Sequence, residues 1–329
     1  MSEMRYGKIP NVDKKVSRIF FGTASEPFLK GEDENCLLDA VYDQGVNTFD
    51  TARVYGLSER SLGSWMAERG IRNQVVILSK CAHPNPFGKK RVNEKAIRKD
   101  FAESCRQLQT DFIDIYLLHR DDPDVPAGEV VEIMNALRAE GKIGIFGGSN
   151  WTHQRIEEAN EYAYAHGLQP FSVSSPNFGL AEQLCDLWGG GCVTISGPKN
   201  ADARAWYART QMPVIAYSSL ARGFFSGRVK GSEPEKASQV LDEYSMKGYA
   251  GPENFERLRR CEKLAQEKGC TVSQIAMAWI YRQELNVFAI VSTTKAERMK
   301  ENIEAMNLPL TPAEVRYLDL GPEPADSQG

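Results

Sequence analysis

The chain has 329 residues, of which 42% are apolar, with 40 basic against 44 acidic side chains and a net charge of −4. That length suits two average domains or one large α/β barrel, and the apolar fraction allows a sizeable core. The charges are spread without blocks, which argues against a nucleic-acid or membrane surface. No apolar run reaches about 18 residues, so no transmembrane helix is expected. The polar N-terminus also lacks the apolar stretch of a signal peptide.

The cysteines indicate a reducing compartment. There are seven of them, an odd number, and no two are spaced as CxxC. That usage favours free thiols in a cytoplasmic protein over a disulfide framework or a zinc site. Cys81 and His83 come nearest to a metal-binding pair, but two ligands without companions do not make a site. No metal is therefore predicted.

Short apolar runs alternate with helical patterns along the first half of the chain. Runs rich in β-branched and aromatic residues predict strands, and apolar residues at three- and four-residue spacing predict helices. The predicted strands are 17–24, 47–52, 75–81, 114–120 and 144–150, and the helices that follow them are 34–45, 58–70, 93–109, 128–142 and 152–167. Five strand–helix units therefore follow one another directly.

The second half continues this alternation with interruptions. Strands are predicted at 171–175, 213–219 and 287–293. Between the first two the helical pattern is weak, and the stretch GGGCVTISGPK is compatible with an added hairpin. A long loop, residues 220–252, is expected after the seventh strand, and a short polar tail over 321–329. The helices predicted after the long loop are 253–269, 271–283 and 295–306, the last of the chain.

Eight strand–helix pairs without a linker predict a single domain over residues 1–329, with the α/β fold of a (β/α)8 TIM barrel. An open, doubly wound sheet is the alternative for such an alternation. The chain has neither GxGxxG nor GxxxxGK[ST], the usual phosphate-binding loops of those sheets, and this favours the barrel. In a barrel, the chemistry lies at the C-terminal ends of the strands.

Four polar or ionisable residues stand at or just after predicted strand ends. Asp50 ends the second strand, and Tyr55 follows it in the stretch NTFDTARVYG. Lys80 ends the third strand and His119 the fourth. Each alone has an ordinary explanation, as a helix cap, a surface phenol, a solvated lysine or a structural histidine. In a barrel, however, these strand ends meet at one mouth, so all four would share one site.

Together these groups suit proton transfer to a carbonyl. A free tyrosine has a pKa near about 10 and is a poor acid at neutral pH. An adjacent ammonium is expected to lower that pKa, and a carboxylate keeps the ammonium charged and oriented. The histidine can hydrogen-bond the carbonyl and stabilise the negative charge that develops on its oxygen. A hydride-transfer enzyme needs such an acid.

The sequence resembles the aldo-keto reductase superfamily over nearly its whole length. The motifs that carry the resemblance are FGTA, NTFDTARVYG, LSK, LLHR, GGSN, AYSSLARGFFSG and VSTTKAERMKEN. The resemblance implies a catalytic tetrad of Asp50, Tyr55, Lys80 and His119, with Tyr55 as general acid and base. It also implies a nicotinamide cofactor in an extended form across the barrel mouth, without a Rossmann fold. Tyr55, His119 and Trp151 are the expected substrate contacts.

The same resemblance implies a set of cofactor contacts. Ser149 and Asn150 match the pair that holds the nicotinamide carboxamide, and Tyr217 matches the aromatic residue stacked on the nicotinamide ring. Ser174 stands where many family members have a glutamine, with the neighbouring Ser175 as its alternative. The further expected contacts are Gly22, Thr23, Asp50, Ser218, Leu220, Arg222, Gly223, Ser292, Thr293, Thr294, Lys295, Arg298, Glu301 and Asn302.

NADPH is the expected form of the cofactor. Arg298 occupies the family position that contacts the 2′-phosphate, and Lys295 lies three residues before it on the same helix face. An arginine suits a phosphate because its planar fork donates two hydrogen bonds. Thr293 and Thr294 precede this helix, where free backbone N–H groups favour an anion. Glu301 is the opposing residue, since it could bind a ribose hydroxyl and tolerate NADH.

The expected function is that of a cytoplasmic, NADPH-dependent oxidoreductase. It would reduce an aldehyde, ketone or sugar carbonyl to an alcohol, with Tyr55 as the proton donor. The alternative is a cofactor-sensing regulatory subunit with little turnover, which the complete tetrad disfavours. A metal-dependent barrel hydrolase would have too few ligands at the strand ends. The loops expected to shape the substrate pocket are 25–30, 82–92, 120–125 and 220–252. Trp151, Phe28 and Phe87 are expected either to form an aromatic wall there or only to cover the barrel rim.

Overall fold

The computed structural model describes residues 3–321 and shows a closed barrel of eight parallel strands surrounded by helices. Two short antiparallel strands, β1 (Tyr6–Gly7) and β2 (Val16–Ser17), precede it. The barrel strands are β3 (Ile19–Gly22), β4 (Thr48–Asp50), β5 (Val76–Cys81), β6 (Ile113–Leu118), β7 (Ile143–Ser149), β8 (Val173–Ser175), β9 (Val214–Ala216) and β10 (Val287–Val291). Each pairs with the next in chain order, and β10 closes the ring on β3. The predicted (β/α)8 TIM barrel is therefore confirmed.

Helices connect these strands over the outside of the barrel. Their ends carry clear signals in the sequence: Asn93 and Thr152 accept a hydrogen bond from the first turn, and Thr271 and Gln274 form a capping box. The helices are α1 (Glu26–Lys30), α2 (Asn35–Asp43), α3 (Ser58–Arg69), α4 (Glu94–Leu108), α5 (Ala127–Ala139), α6 (His153–Ala165), α7 (Ala201–Thr210), α8 (Glu243–Tyr249), α9 (Pro252–Lys268), α10 (Val272–Ile280), α11 (Ala296–Ala305) and α12 (Pro312–Leu318).

Side chains alternate along each strand between the barrel interior and the layer under the helices. On β5, Val76 and Leu78 belong to the interior cluster, whereas Ile77 packs in the outer layer. The interior cluster also includes Ile9 and Val16, so the N-terminal hairpin closes the barrel at the end where the strands begin. Because the alternation continues to the end of β5, Lys80 faces the interior.

Two predictions about the region between β8 and α9 are wrong. The stretch GGGCVTISGPK forms no hairpin in the described structure, because Thr194 makes only an isolated bridge to Asn177 and the helix α7 follows. The helix α7 buries only Ala203, Trp206 and Tyr207, so its sequence shows little of the apolar periodicity that predicts a helix. Residues 220–252 are also more than a loop, since they contain α8 and 3₁₀ turns at Ala221–Gly223 and Pro234–Gln239.

The C-terminal part of the chain also differs from the sequence prediction. The helix α11 is not the last, because α12 follows it with a proline in its first turn and a capping box at Thr311. A helix of seven residues shows too little periodicity to be recognised from its sequence. Of the predicted polar tail, 321–329, only Gly321 lies within the described residues. Within residues 3–321, no helix is both long and apolar enough to cross a membrane. The single-domain assignment for 1–329 stays a prediction.

Candidate active site

Each barrel strand contributes an inward-facing residue at its C-terminal end, or within two residues of it. The register pairs Gly22 with Asp50, and Ser149 with Ser175, across neighbouring strands, so these residues share one level of the barrel. Around the mouth, the inward positions are Gly22, Asp50, Lys80, His119, Ser149, Ser175, Tyr217 and Ser292. The sequence prediction named all of them as site residues, except that it chose Ser174 and kept Ser175 as the alternative.

Lys80 lies at the centre of the predicted tetrad. Its Nζ donates to Oδ1 of Asp50 at 2.5 Å and to the carbonyl of Thr51 at 3.0 Å. Both side chains of this ion pair are almost fully buried. Burial raises the pKa of Asp50, against the opposing effect of Lys80. Burial also acts to lower the pKa of Lys80, but the attraction of Asp50 and Tyr55 raises it on balance, so the ammonium stays charged.

Tyr55 lies beside this pair, in the loop after β4. Nζ of Lys80 is 5.0 Å from the centre of its ring, and the ring meets that of His119 edge-on at 5.6 Å. Desolvation raises the pKa of Tyr55, and Lys80 offsets that rise only in part. The expected lowering of this pKa is therefore wrong, because burial outweighs the ammonium. The phenol is protonated at neutral pH, which is the state that a proton donor needs.

His119 completes the group, with His83 next to it. The two imidazole rings lie 4.8 Å apart at an angle of 76°. Burial, together with the charge of Lys80, lowers the pKa of His119 well below its usual range, so the ring is neutral. Its Nδ1 is buried and has no hydrogen-bond partner among the described residues. A neutral imidazole of this kind is suited to donate a hydrogen bond to a carbonyl oxygen.

The predicted carboxamide-binding residues tie the next strands together. Oγ of Ser149 donates to the carbonyl of Ser175 at 3.0 Å, and Nδ2 of Asn150 donates to the carbonyl of His119 at 3.2 Å. Oδ1 of Asn150 accepts from the hydroxyl of Tyr217 at 2.7 Å. Asn150 has a φ of 61°, a left-handed conformation that asparagine tolerates better than most residues. These bonds hold the ring of Tyr217 at the mouth.

Ser174 and Ser175 face opposite sides of β8. The hydroxyl of Ser174 lies 2.7 Å from that of Tyr207 on α7, so it points out of the barrel. Oγ of Ser175, on the interior face, is buried without a hydrogen-bond partner in the described chain. The choice of Ser174 as the residue at the glutamine position therefore gives way to Ser175, because a shift of one residue reverses the face of a strand.

The segment after β9 carries the predicted pyrophosphate contacts. Ser218, Arg222 and Gly223 have φ values of 55°, 52° and 92°, and left-handed turns of this kind present backbone N–H groups to an anion. The guanidinium of Arg222 donates to Oδ2 of Asp242 at 2.9 Å and lies 4.9 Å from the ring centre of Trp188. Its side chain is thus already held within the protein, so any contact with the cofactor would compete with that ion pair.

The segment between β10 and α11 carries the predicted adenosine contacts. Oγ of Ser292 donates to the carbonyl of Gly22, at the end of β3, at 2.7 Å. The hydroxyl of Thr293 bonds to the backbone carbonyl and N–H of Lys295. Lys295 and Arg298 are exposed, and neither makes an ion pair within residues 3–321. Asn302 is buried at the other end of the helix. Two unpaired cations therefore stand at the start of α11.

The aromatic wall expected at the mouth does not form. Trp151 is fully buried and packs against Phe171 in the outer layer, with 4.9 Å between ring centres. Phe28 is buried against Phe21, 5.7 Å away, and Phe87 is 95% exposed at the tip of its loop. Trp151 is thus not placed to contact a substrate at the mouth, although its neighbour Asn150 bonds to His119 and Tyr217 there.

Two mouth residues were missed by the sequence prediction. His83 was named as a possible metal ligand and lies in the predicted pocket loop 82–92, and Arg120 lies in the predicted pocket loop 120–125, but neither was assigned a role there. Arg120 directly follows His119 and is 7% exposed. The signal was available, because residues immediately after a barrel strand belong to the catalytic face. For metals, the described residues contain no group of three or more His, Cys, Asp or Glu side chains placed to hold an ion.

A barrel with this mouth defines a class of NAD(P)H-dependent carbonyl oxidoreductases. The sequence profile of the Aldo/keto reductase family matches residues 18–320, and the chain therefore belongs to the aldo-keto reductase family. Members of this family generally use NAD(P)H, and the chain is an NAD(P)H-dependent oxidoreductase of this type.

Three comparisons illustrate the relationship. The chain is 30% identical to "Putative aryl-alcohol dehydrogenase AAD14" of Saccharomyces cerevisiae over 299 residues, 86% of this chain and 75% of that protein. It is also 30% identical to norsolorinic acid reductase of Aspergillus flavus, over 86% of this chain and 70% of that one. The crystal structure of the thermostable aldo-keto reductase Tm1743 with the inhibitor epalrestat superposes with a TM-score of 0.70, covering 96% of this chain and 99% of that chain. At 21% identity, this last likeness supports the fold alone.

Proposed function

We propose that this protein is a cytoplasmic, NADPH-dependent reductase of aldehydes, ketones or sugar carbonyls, with Tyr55 as the proton donor. The observation that carries the proposal is the buried ion pair of Lys80 and Asp50 placed directly beside Tyr55. Taking two charges out of water is costly, and here the cost is offset by the short contact between them and by the bond from Lys80 to the carbonyl of Thr51. The seven cysteines, none of which is paired, support the reducing compartment.

Each of the four residues has a distinct part in the reaction. The carbonyl oxygen of the substrate lies between the hydroxyl of Tyr55 and the neutral imidazole of His119. His119 donates a hydrogen bond to that oxygen, and Tyr55 gives it a proton as negative charge develops there. The ammonium of Lys80 stabilises the phenolate that remains, and Asp50 keeps that ammonium charged and in place. Tyr55 then regains a proton from solvent.

The mouth also has features that fit a nicotinamide cofactor, which supplies the hydride when it is bound. Among residues 3–321, Oγ of Ser175 and Nδ1 of His119 are buried and have no hydrogen-bond partner, as expected for polar atoms that await a ligand. A Cβ on Gly22 would lie only 2.8 Å from Oγ of Ser292, so a glycine keeps that side of the mouth open. The bond from its hydroxyl to Asn150 holds the ring of Tyr217 at the mouth, which supports its proposed stacking on the nicotinamide ring.

Aromatic carbonyl compounds are the first substrates to examine. One relative is named as an aryl-alcohol dehydrogenase and another as a norsolorinic acid reductase. At this level of identity those names guide the choice of assay rather than define the substrate. A panel of benzaldehydes, aryl ketones and reducing sugars, followed by the oxidation of NADPH, separates the three proposed classes.

The proton donor is tested by Tyr55→Phe. We expect turnover to fall roughly 10²- to 10⁴-fold, because the substitution removes the general acid while NADPH binding is retained. Tyr42→Phe is the matched control, since its hydroxyl bonds to Gln74 on the outside of the barrel. Steady-state kinetics and NADPH fluorescence titration measure both effects. A kcat of Tyr55→Phe close to that of the wild type would remove Tyr55 from its proposed role.

The preference for NADPH is tested at α11. Lys295 and Arg298 stand unpaired at the start of this helix, which supports a 2′-phosphate between them, whereas Glu301 would favour the free ribose of NADH. We expect Arg298→Ala to weaken NADPH binding roughly tenfold or more without weakening NADH. Lys300→Ala removes an exposed cation from the same helix and is the control. Equal affinity of the wild type for both cofactors would refute the assignment.

The alternative of a cofactor-sensing subunit predicts cofactor binding without useful turnover. The same measurements decide between the two functions. Tight NADPH binding with no oxidation of NADPH across the whole carbonyl panel would favour the sensor. We place it second, because nothing in the arrangement of Asp50, Tyr55, Lys80 and His119 departs from what proton transfer needs.

A further inference from the structure

Arg120 is a cation at the mouth that the proposed chemistry does not use. It follows His119 directly, and its side chain is more than nine-tenths buried. Its guanidinium makes one hydrogen bond in the described structure, from Nη1 to the carbonyl of His119 at 3.1 Å. A guanidinium has five N–H donors. Most of its capacity is therefore unused at a site where the residue is withdrawn from water.

No acid within residues 3–321 forms an ion pair with Arg120. The acids next to it in sequence and at the mouth each form an ion pair with another residue. These ion pairs are Asp50 with Lys80, Asp121 with Arg155 and Asp122 with Lys90. Asp186 is a further acid within electrostatic range of Arg120. Its two oxygens already accept the backbone N–H groups of Trp188 and Cys192 at 2.9 and 2.8 Å. Burial raises the pKa of Asp186, but these bonds, ahead of the charge of Arg120, lower it on balance.

The charge of Arg120 reaches the reacting groups. Burial raises the pKa of Tyr217 well above its usual range, and Arg120 is among the charges that oppose the rise. For His119, burial and Lys80 lower the pKa, and the charges of His83 and Arg120 lower it further. Arg120 also opposes the raised pKa of Tyr55. The guanidinium thus lies within electrostatic range of the position that the carbonyl would occupy.

An unpaired charge of this kind is expensive to bury unless a partner compensates it. Arginine is the side chain best matched to a carboxylate, because two parallel N–H groups of its fork meet the two oxygens. We propose that Arg120 binds a carboxylate of the substrate, so that the preferred substrates are carbonyl compounds with an acidic group close to the reacting carbon. This inference rests on the proposed function and names its substrate class.

Matched pairs of acids and esters test the proposal kinetically. The pairs are phenylglyoxylate with its methyl ester, and 4-carboxybenzaldehyde with its methyl ester, which set the carboxylate at two distances from the carbonyl. In the wild type we expect kcat/KM for at least one acid to exceed that for its ester. In Arg120→Met the acid-to-ester ratio should fall roughly 10- to 100-fold, the usual worth of a charge-assisted hydrogen bond. Arg120→Lys should restore part of the ratio.

Arg209→Gln is the control for net charge, because Arg209 is exposed on α7, away from the mouth. Its acid-to-ester ratio should equal that of the wild type. A purely structural role for Arg120 would lower the values for acid and ester together and leave the ratio unchanged, which would overturn the proposal. If Arg120→Met does not fold, the wild-type pairs and Arg120→Lys decide alone: no preference for either acid in the wild type refutes it.

A binding measurement separates this inference from the proposed function. The enzyme with NADPH is titrated calorimetrically with 4-(hydroxymethyl)benzoate and with its methyl ester, a combination in which no turnover occurs. Tighter binding of the acid, lost in Arg120→Met, supports the carboxylate site even if no carbonyl compound is reduced. Equal binding of acid and ester overturns it. A loss of NADPH affinity in Arg120→Met as large as the loss of acid affinity would assign Arg120 to a cofactor phosphate, and also overturns it.

Discussion

The two ends of the barrel use the same strands for opposite purposes. At the closed end, Asp114 begins β6 as a buried carboxylate, held by Lys14 at 2.6 Å and Arg72 at 2.9 Å. At the mouth, Asp50 ends β4 as a buried carboxylate held by Lys80. The closed end is filled by apolar residues of the N-terminal hairpin. The mouth adds a phenol and an imidazole beside its ion pair and leaves buried polar atoms without partners.

The two ion pairs differ in what surrounds them. Asp114 also accepts a backbone N–H from Ile77, so several donors surround it and its role is complete within the protein. Lys80 instead stands between Asp50 and Tyr55, where its charge acts on a group that can exchange a proton with a substrate. The charges at the closed end complete a local network, whereas those at the mouth lie where the chemistry of a barrel is expected.

The largest expected contrast comes from removing one lysine at each end. Lys80→Met should lower kcat roughly 10²- to 10⁴-fold, because the phenolate of Tyr55 loses the cation that stabilises it. Lys14→Met should leave kcat near the wild-type value but lower the free energy of unfolding by about 1–3 kcal/mol, through the lost charged hydrogen bond to Asp114. Steady-state kinetics and urea denaturation measure the two effects. If Lys80→Met kept normal turnover, the mouth pair would be structural like the one at the closed end.

A smaller effect is expected on stability as the pH changes, and it arises from His119 at the mouth. The pKa of His119 is depressed in the folded protein, so the unfolded chain takes up a proton near pH 6.5 that the folded one does not. Its contribution to stability is complete above about pH 6.5 and is lost as the pH falls. As the pH falls from 7.5 to 5.5, an imidazole that stays neutral in the folded protein lowers the free energy of unfolding by about 1.4 kcal/mol.

Urea denaturation of the wild type and of His119→Asn at both pH values measures this loss. The variant should lose about 1.4 kcal/mol less than the wild type over that interval. Burial also lowers the pKa of His83, so part of the pH dependence of stability should remain in His119→Asn. His166→Gln, at an exposed position, serves as the control. An unchanged pH dependence in His119→Asn would mean that its imidazole takes up a proton in the folded state.

The smallest expected effects distinguish the two faces of β8. Ser174→Ala leaves the buried hydroxyl of Tyr207 without its partner and should lower the free energy of unfolding by about 1 kcal/mol, with NADPH affinity unchanged. Ser175→Ala should instead weaken NADPH binding roughly 2- to 10-fold and leave stability nearly unchanged, because its hydroxyl has no partner to lose. The reverse pattern would place Ser174 at the cofactor and restore the first assignment.

Much of the fold follows from local patterns in the sequence. All eight barrel strands were predicted, although the one expected at 213–219 is only Val214–Ala216, because Ser218 turns into the left-handed region. Helices with a strong apolar stripe, such as α4, were also predicted. The helices that were missed are short, as in α12, or bury few side chains, as in α7, so their sequences hold little periodic signal.

The sequence by itself determined that Asp50, Lys80 and His119 end three successive strands, because the end of an apolar run is a local property. Only the tertiary structure decided which side of the barrel wall each side chain faces, since a shift of one residue in register reverses it. That is why Ser175 replaces Ser174. Trp151 lies beyond the end of β7 and packs in the outer layer after the left-handed turn at Asn150. The pairing of the acids near Arg120 is likewise a tertiary fact. Asp121 and Asp122 follow it directly in the sequence, but their partners Arg155 and Lys90 come from other parts of the chain and meet them only in the folded barrel.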